Sequence, residues 1–200
     1  TGALSSDSDM TLTIGLGGVD NGGTIQSNMN LTLDSQAGID NTGEILSVQT
    51  AIVTAEQTIA NRGGTIKANA DLTLISKTGD IENTTGGQLT SGGSLALTAK
   101  TKILNQDTDS MISSDGDLLL NAATFENKTG SEVISQGALD VADIDILSND
   151  GSIYSKGNSN ITSRVFKNTG SFSSDSDMTL TIGLGGVDNG GTIQSNGHLG

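Results

Sequence analysis

No cysteine, proline or tryptophan occurs anywhere in this 200-residue chain, and aromatic residues make up only 2% of it. The missing cysteine excludes disulfides. The near-absence of aromatics excludes the usual core of a roughly spherical domain of this length, which buries several large rings. Only 33% of residues are hydrophobic, so the core must be thin and built from Ile, Leu, Val and Ala. Basic residues are scarce as well: nine Lys and Arg oppose 23 Asp and Glu, for a net charge of −14. Nucleic acid is therefore not an expected partner, since binding it requires a basic face that displaces counterions. No apolar run reaches the length needed to cross a bilayer, and no signal peptide opens the chain. Low hydrophobicity with high charge is also the composition of disorder, which carries no apolar register.

A register is present. From Leu4, apolar residues recur at Ile25, Ile45, Ile66, Leu89, Ile112, Val133, Ile153, Phe172 and Ile193, at intervals of 19 to 23 residues. Two residues after each comes Ser6, Ser27, Ser47, Ser91, Ser114, Ser135, Ser155, Ser174 or Ser195, with Ala68 the one exception. An apolar-x-apolar pair follows, such as Leu31/Leu33, Leu72/Leu74 and Leu118/Leu120. An apolar-x-Asn element then closes each repeat, ending at Asn21, Asn41, Asn61, Asn83, Asn105, Asn127, Asn149, Asn168 and Asn189. Every local pair is spaced by two, the period of a β-strand, and no 3.6-residue pattern is sustained. Gly, Asn and Asp turns separate the pairs.

One three-strand coil cannot bury its own apolar face, but stacked coils cover one another and pair their backbones in parallel. The expected fold is all-β, a right-handed parallel β-helix of about ten coils averaging 21 residues, with three short strands per coil. Residues 1–200 read as a single continuous segment, an internal piece of a longer filament. The nine Asn form an expected internal ladder of side-chain amides. The Ser column is expected to fill a narrow corner. Length varies mainly after the Asn, and the longest such turn is Gln106–Met111.

The stretch Gly15–Asn28 recurs letter for letter at Gly183–Asn196, 168 residues on. The match extends to Thr1–Asn28 and Thr169–Asn196, which differ only at Ala3/Ser171 and Leu4/Phe172. The offset equals eight coils, so the stretch is building material in register, and an eight-coil block has been duplicated. Because the first and last coils present nearly the same strand edges, the isolated segment is expected to associate head to tail.

These repeats resemble the haemagglutinin repeats of two-partner secretion exoproteins, a group that includes filamentous haemagglutinin adhesins and the stalks of contact-dependent growth inhibition toxins. The resemblance is carried by Leu89–Ala99, Ile112–Leu120 and Ile59–Gly64, and it runs along the whole chain. It implies a non-enzymatic shaft, secreted unfolded through an outer-membrane transporter and folded outside a Gram-negative cell. There it would project a functional tip and meet a host or neighbouring-cell receptor through other parts of the parent protein. Lack of Cys fits that route.

The competing reading is a β-helical polysaccharide lyase or hydrolase, which needs long loops over paired carboxylates or a metal. The acidic pairs Asp7/Asp9, Asp107/Asp109 and Asp143/Asp145 read instead as solvated turns, as do Asp9, Asp71, Asp117 and Asp177 before the second strand. Gly15-x-Gly17 lacks the third glycine of a dinucleotide loop, and the nonapeptide spacing of a calcium roll is absent. His198, the single histidine, has no nucleophile to serve. No catalytic, cofactor or metal residue is expected, and no cofactor. Sequons at Asn30, Asn83, Asn127 and Asn160 offer sugar acceptors, with Asn83 and Asn127 expected to point inward.

Overall fold

The computed structural model describes residues 2–200, apart from the side chain of Asp143. Among the described residues there are 25 strands and no helix, hence none long and apolar enough to cross a membrane. All strand pairings are parallel, and each joins a strand to its equivalent one coil on. First strands, such as Thr24–Ser27 and Met111–Ser114, stack into one ten-stranded sheet. Second strands (Leu31–Ser35, Leu95–Ala99) and third strands (Ile39–Asn41, Lys102–Asn105) form the other two faces. The stack is a β-solenoid of nine complete coils plus the first strand of a tenth.

The period-two pattern dictates which side chains enter. In Leu31–Ser35 the residues alternate buried and half-buried, with Leu31, Leu33 and Ser35 inside. The same alternation recurs coil after coil, giving continuous columns of buried Ile, Leu and Val. Each fully covered aliphatic side chain contributes about 1.5–3 kcal/mol. The three phenylalanines, Phe125, Phe166 and Phe172, are completely buried, and Phe166 meets Phe172 edge to face with centroids 6.0 Å apart.

The expectation of three short strands holds through the sixth coil. In coils seven to nine the second and third strands fuse into Leu139–Asn149, Ser159–Asn168 and Met178–Asn189. Earlier corners carry turn chemistry such as Gln36-Ala37-Gly38 or Lys77-Thr78-Gly79, whereas the seventh coil places buried Ile144 there and the eighth carries Thr162–Val165. With nothing to break it, the strand runs through the corner and absorbs the bend as a bulge at Val141/Ile144 and again at Ser163/Val165.

Met178–Asn189 has the same twelve residues as Met10–Asn21, yet the earlier copy forms two strands with a turn between them. The neighbouring coil decides. Met178–Asn189 lies on a continuous strand and ejects Gly183–Gly185 as the bulge, while Met10–Asn21 lies on a coil that has its own turn.

Candidate functional site

The nine ladder asparagines occupy one register column at the end of the third strands, each opposite the next. Asn21 Nδ2 donates to Asn41 Oδ1 at 2.7 Å, and the pattern repeats through Asn61, Asn83, Asn105, Asn127, Asn149, Asn168 and Asn189 with lengths of 2.7–3.0 Å. Every Nδ2 points forward along the chain and every accepting Oδ1 points back, so the column has a direction. Asn21 through Asn168 also donate to the carbonyl that opens the first strand after the next ladder Asn, for example Asn105 to Glu132 O at 2.9 Å and Asn61 to Gln88 O at 3.2 Å. Asn41 through Asn168 are fully buried, Asn21 is 7% exposed, and Asn189 in the ninth coil faces solvent. An amide has two donor protons and two acceptor lone pairs. Spreading them over neighbours above and below lets a polar column sit inside an apolar rod without an unpaired group.

The serine column does more than fill space. Ser27 Oγ lies within hydrogen-bond distance of Ser8 O (2.8 Å) in the coil below and Asn30 O (2.9 Å) in its own corner. Ser47, Ser91, Ser135 and Ser195 bridge the equivalent pairs of carbonyls. Ala68, fully buried, has no hydroxyl for Gln49 O and Asp71 O, which occupy the equivalent places. Ala68→Ser should therefore raise stability by about 1 kcal/mol. Denaturant melts of the two proteins check this, and an unchanged or lower midpoint would contradict it.

A second polar column lies outside, at the corner before the second strand. Asp9, Asn30, Asp71, Asp117, Asn158 and Asp177 each accept, through Oδ1, the backbone N–H of the equivalent residue one coil on, at 2.8–3.3 Å. Sequence spacing showed the acids at this position as turns. Their role as clamps between coils is visible only with the next coil in place, although the recurrence of Asp or Asn before the apolar pair was the available signal.

Among the described residues no group of three or more His, Cys, Asp or Glu side chains could hold a metal. The acidic pairs are split between different tasks. Asp7 Oδ1 accepts from Asn28 Nδ2 at 2.9 Å, while Asp9 serves Asn30 N. Asp107 accepts from Thr85 N at 2.9 Å, while Asp109, like Asp107 at positive φ, receives Gln88 Nε2 on its carbonyl. Of the third pair, the Asp143 side chain lies outside the described residues; Asp145 is bound by Arg164, whose hydrogen bond holds its carboxyl below the usual carboxylate range. His198 is exposed and contributes its backbone N–H to Asp177. Of the sequons, Asn83 and Asn127 are fully buried ladder members, Asn30 is committed to Asp9, and Asn160 is exposed within a strand.

The repeated glycine stretch lines an open groove of about 370 Å³ together with Asp20, Asp40, Thr58 and Arg62. Arg62 is already paired to Asp40 at 2.6 Å and Glu82 at 3.3 Å. Gly18 there has φ +70°, and a Cβ would lie 2.8 Å from Gly38 O of the next coil. The glycine is thus required by backbone conformation and by the approach of its neighbour, with no helix behind it to bind phosphate.

A family model described as the haemagglutinin repeat matches residues 1–76 and 46–122. Comparison with curated proteins and with solved structures finds no match. The matched span covers more than half of the chain, and the coils beyond it continue the same columns in register. The chain belongs to the haemagglutinin repeat family.

Proposed function

We propose that this chain is a stretch of structural shaft from a secreted filamentous exoprotein, an adhesin or the stalk of a contact-dependent growth inhibition toxin. It holds a functional tip away from the surface of a Gram-negative cell. The observation that carries this reading is the use to which the polar side chains are put. Internal Asn, corner Ser and outer Asp or Asn all bind the coil above or below, which is what a spacer needs and what a catalytic centre cannot spare. Length is then the functional quantity: each coil adds about 4.8 Å, and coupling between neighbours supplies stiffness. On this reading the parent crosses the outer membrane unfolded through a transporter, helped by the absence of Cys. Any host or neighbouring-cell receptor engages other parts of that protein.

Deleting residues 24–191 from the parent exoprotein removes whole coils and joins Gly23 to Thr192, the same Gly-Thr step that occurs at Gly191–Thr192. The expected result is a surface filament shorter by about 38 Å, from eight coils at ~4.8 Å each, with reduced engagement of neighbouring cells and unaltered receptor affinity of the purified protein. Loss of affinity in the purified, shortened protein would show that the segment itself makes the contact. Turnover of an acidic polysaccharide by the 200-residue chain, abolished by changing one Asp, would contradict the non-enzymatic reading altogether.

A further inference from the structure

We infer that the 168-residue block from the end of the first copy to the end of the second, residues 29–196, is an interchangeable length unit, so that the shaft can gain whole eight-coil steps without disturbing its stack. This rests on the spacer reading and adds to it the size of the step. The two copies are alike in more than sequence. Val19–Asn21 and Val187–Asn189 hold the same place in the third-strand column, and Asn21 and Asn189 stand in the same ladder. Asp7 accepts from Asn28 and Asp175 from Asn196, so the outer corner contacts repeat too. Thr24–Ser27 and Thr192–Ser195 occupy the same first-strand column.

The chain beyond each copy also continues in the same way. After the first copy, Leu31 pairs in register with Met10; after the second, Leu199 bridges Met178, the residue equivalent to Met10. The backbone N–H of Met10 donates to Asn30 O at 2.8 Å, and that of Met178 donates to His198 O at 2.8 Å. At the first strand, at the start of the second strand and along the Asn column, the coil beginning at residue 29 therefore has, on top of residues 169–196, the same seat that it has on top of residues 1–28. The corner at Gly183–Gly185, bulged where Gly15–Gly18 turns, is the one difference.

The forward direction of the Asn ladder fits this seat. An incoming block must offer an Oδ1 to Asn189 Nδ2, as Asn41 does to Asn21. It must also offer the carbonyl opening the next first strand, as Glu44 does. Residues 29–196 bring both in the required order. A block entering half a coil out of phase would oppose the Asn column with the Ser or Leu columns and leave the amide donors unpaired inside the rod. Because the unit is a whole number of coils, it also preserves the column identity of every outward-facing residue.

The test is a chain in which a second copy of residues 29–196 is inserted after Asn196, compared with one in which residues 39–196 are inserted there. The second insertion starts roughly half a coil late. Small-angle scattering gives rod length, and denaturant melts give cooperativity. The expected result is a rod longer by about 38 Å for the in-phase chain, with a single unfolding transition at or above the midpoint of the 200-residue chain. The out-of-phase chain should show a second, earlier transition. An in-phase chain that fails to lengthen, or that unfolds early, would overturn the inference, as would identical behaviour of the two insertions. Any of these could occur with the spacer reading intact, since that reading is tested by reach and receptor affinity in the parent.

Discussion

Asn105→Leu is expected to destabilise the chain by about 3 kcal/mol, although it replaces a polar group in an apolar rod with a residue of similar size. In the native column Asn105 Oδ1 accepts from Asn83 Nδ2 at 2.8 Å, and its own Nδ2 serves Asn127 Oδ1 at 3.0 Å and Glu132 O at 2.9 Å. Leucine removes all three, together with the longer bond from Nδ2 to Ser110 O at 3.4 Å, and supplies no replacement. Asn83 keeps bonds to Gly87 O and Met111 O, and Asn127 Oδ1 keeps Ser131 Oγ, so neighbours are impoverished rather than stripped. With unmet buried groups costing about 1–3 kcal/mol each and some hydrophobic gain from the leucine, the net loss comes to about 3 kcal/mol. It should lower the melting midpoint by roughly 6–12 °C. A variant that melts with the parent would mean that the buried amides add nothing a hydrophobic column could not.

Gly87→Ala should cost about 2–3 kcal/mol, the scale of overpacking a close-packed site. A Cβ built on Gly87 lies 2.5 Å from Asn83 Oδ1, 2.6 Å from Asn61 O and 2.9 Å from Asn61 Nδ2. No rotamer relieves this, because a methyl group has no torsion that moves it away and the atoms it meets are held by the ladder. The backbone must lift, lengthening the bonds Asn83 Nδ2 makes to Gly87 O and Met111 O at 2.8 and 3.1 Å. Chemical denaturation of the variant checks the magnitude. A cost under about 0.5 kcal/mol, the range of ordinary surface changes, would show that the turn adapts and that the ladder is loosely seated.

Much of this architecture is legible in one sequence because each coil repeats the same offsets. The Ile, Ser, Leu and Asn columns and the parallel stacking all derive from spacing, and the buried positions derive from period-two alternation. The duplicated stretch, which by itself looks like a ligand loop, is decoded by its whole-coil offset. What spacing could not show lies between coils. The fusion of strands at Leu139–Asn149 depends on Ile144 taking a corner that elsewhere turns. The different folding of Met10–Asn21 and Met178–Asn189 depends wholly on the neighbour each stacks against.

The hydroxyl bridges of Ser27 and Ser91 and the clamps from Asp71 and Asp117 require knowing which carbonyl or N–H sits about 20 residues away in sequence and one strand away in space. The same is true of the direction of the Asn ladder. Ser163 lies outside that serine column, on the strand Ser159–Asn168, and shows the opposite case: it is buried between Ile144 and Ile182, and its hydroxyl has no partner, which the repeat does not explain.

The claim that the chain is a stiff spacer of stacked coils is tested most directly by the distance between two equivalent points eight coils apart. Asp20 and Asp188 are exposed, face outward from the same column, and can be changed to Cys for spin labelling in a chain with no native cysteine. Pulsed electron–electron resonance should give a single narrow distribution centred near 38 Å, eight strand spacings of about 4.8 Å. A broad distribution, or a mean displaced by about 10 Å (two strand spacings) or more, would contradict a rigid in-register rod.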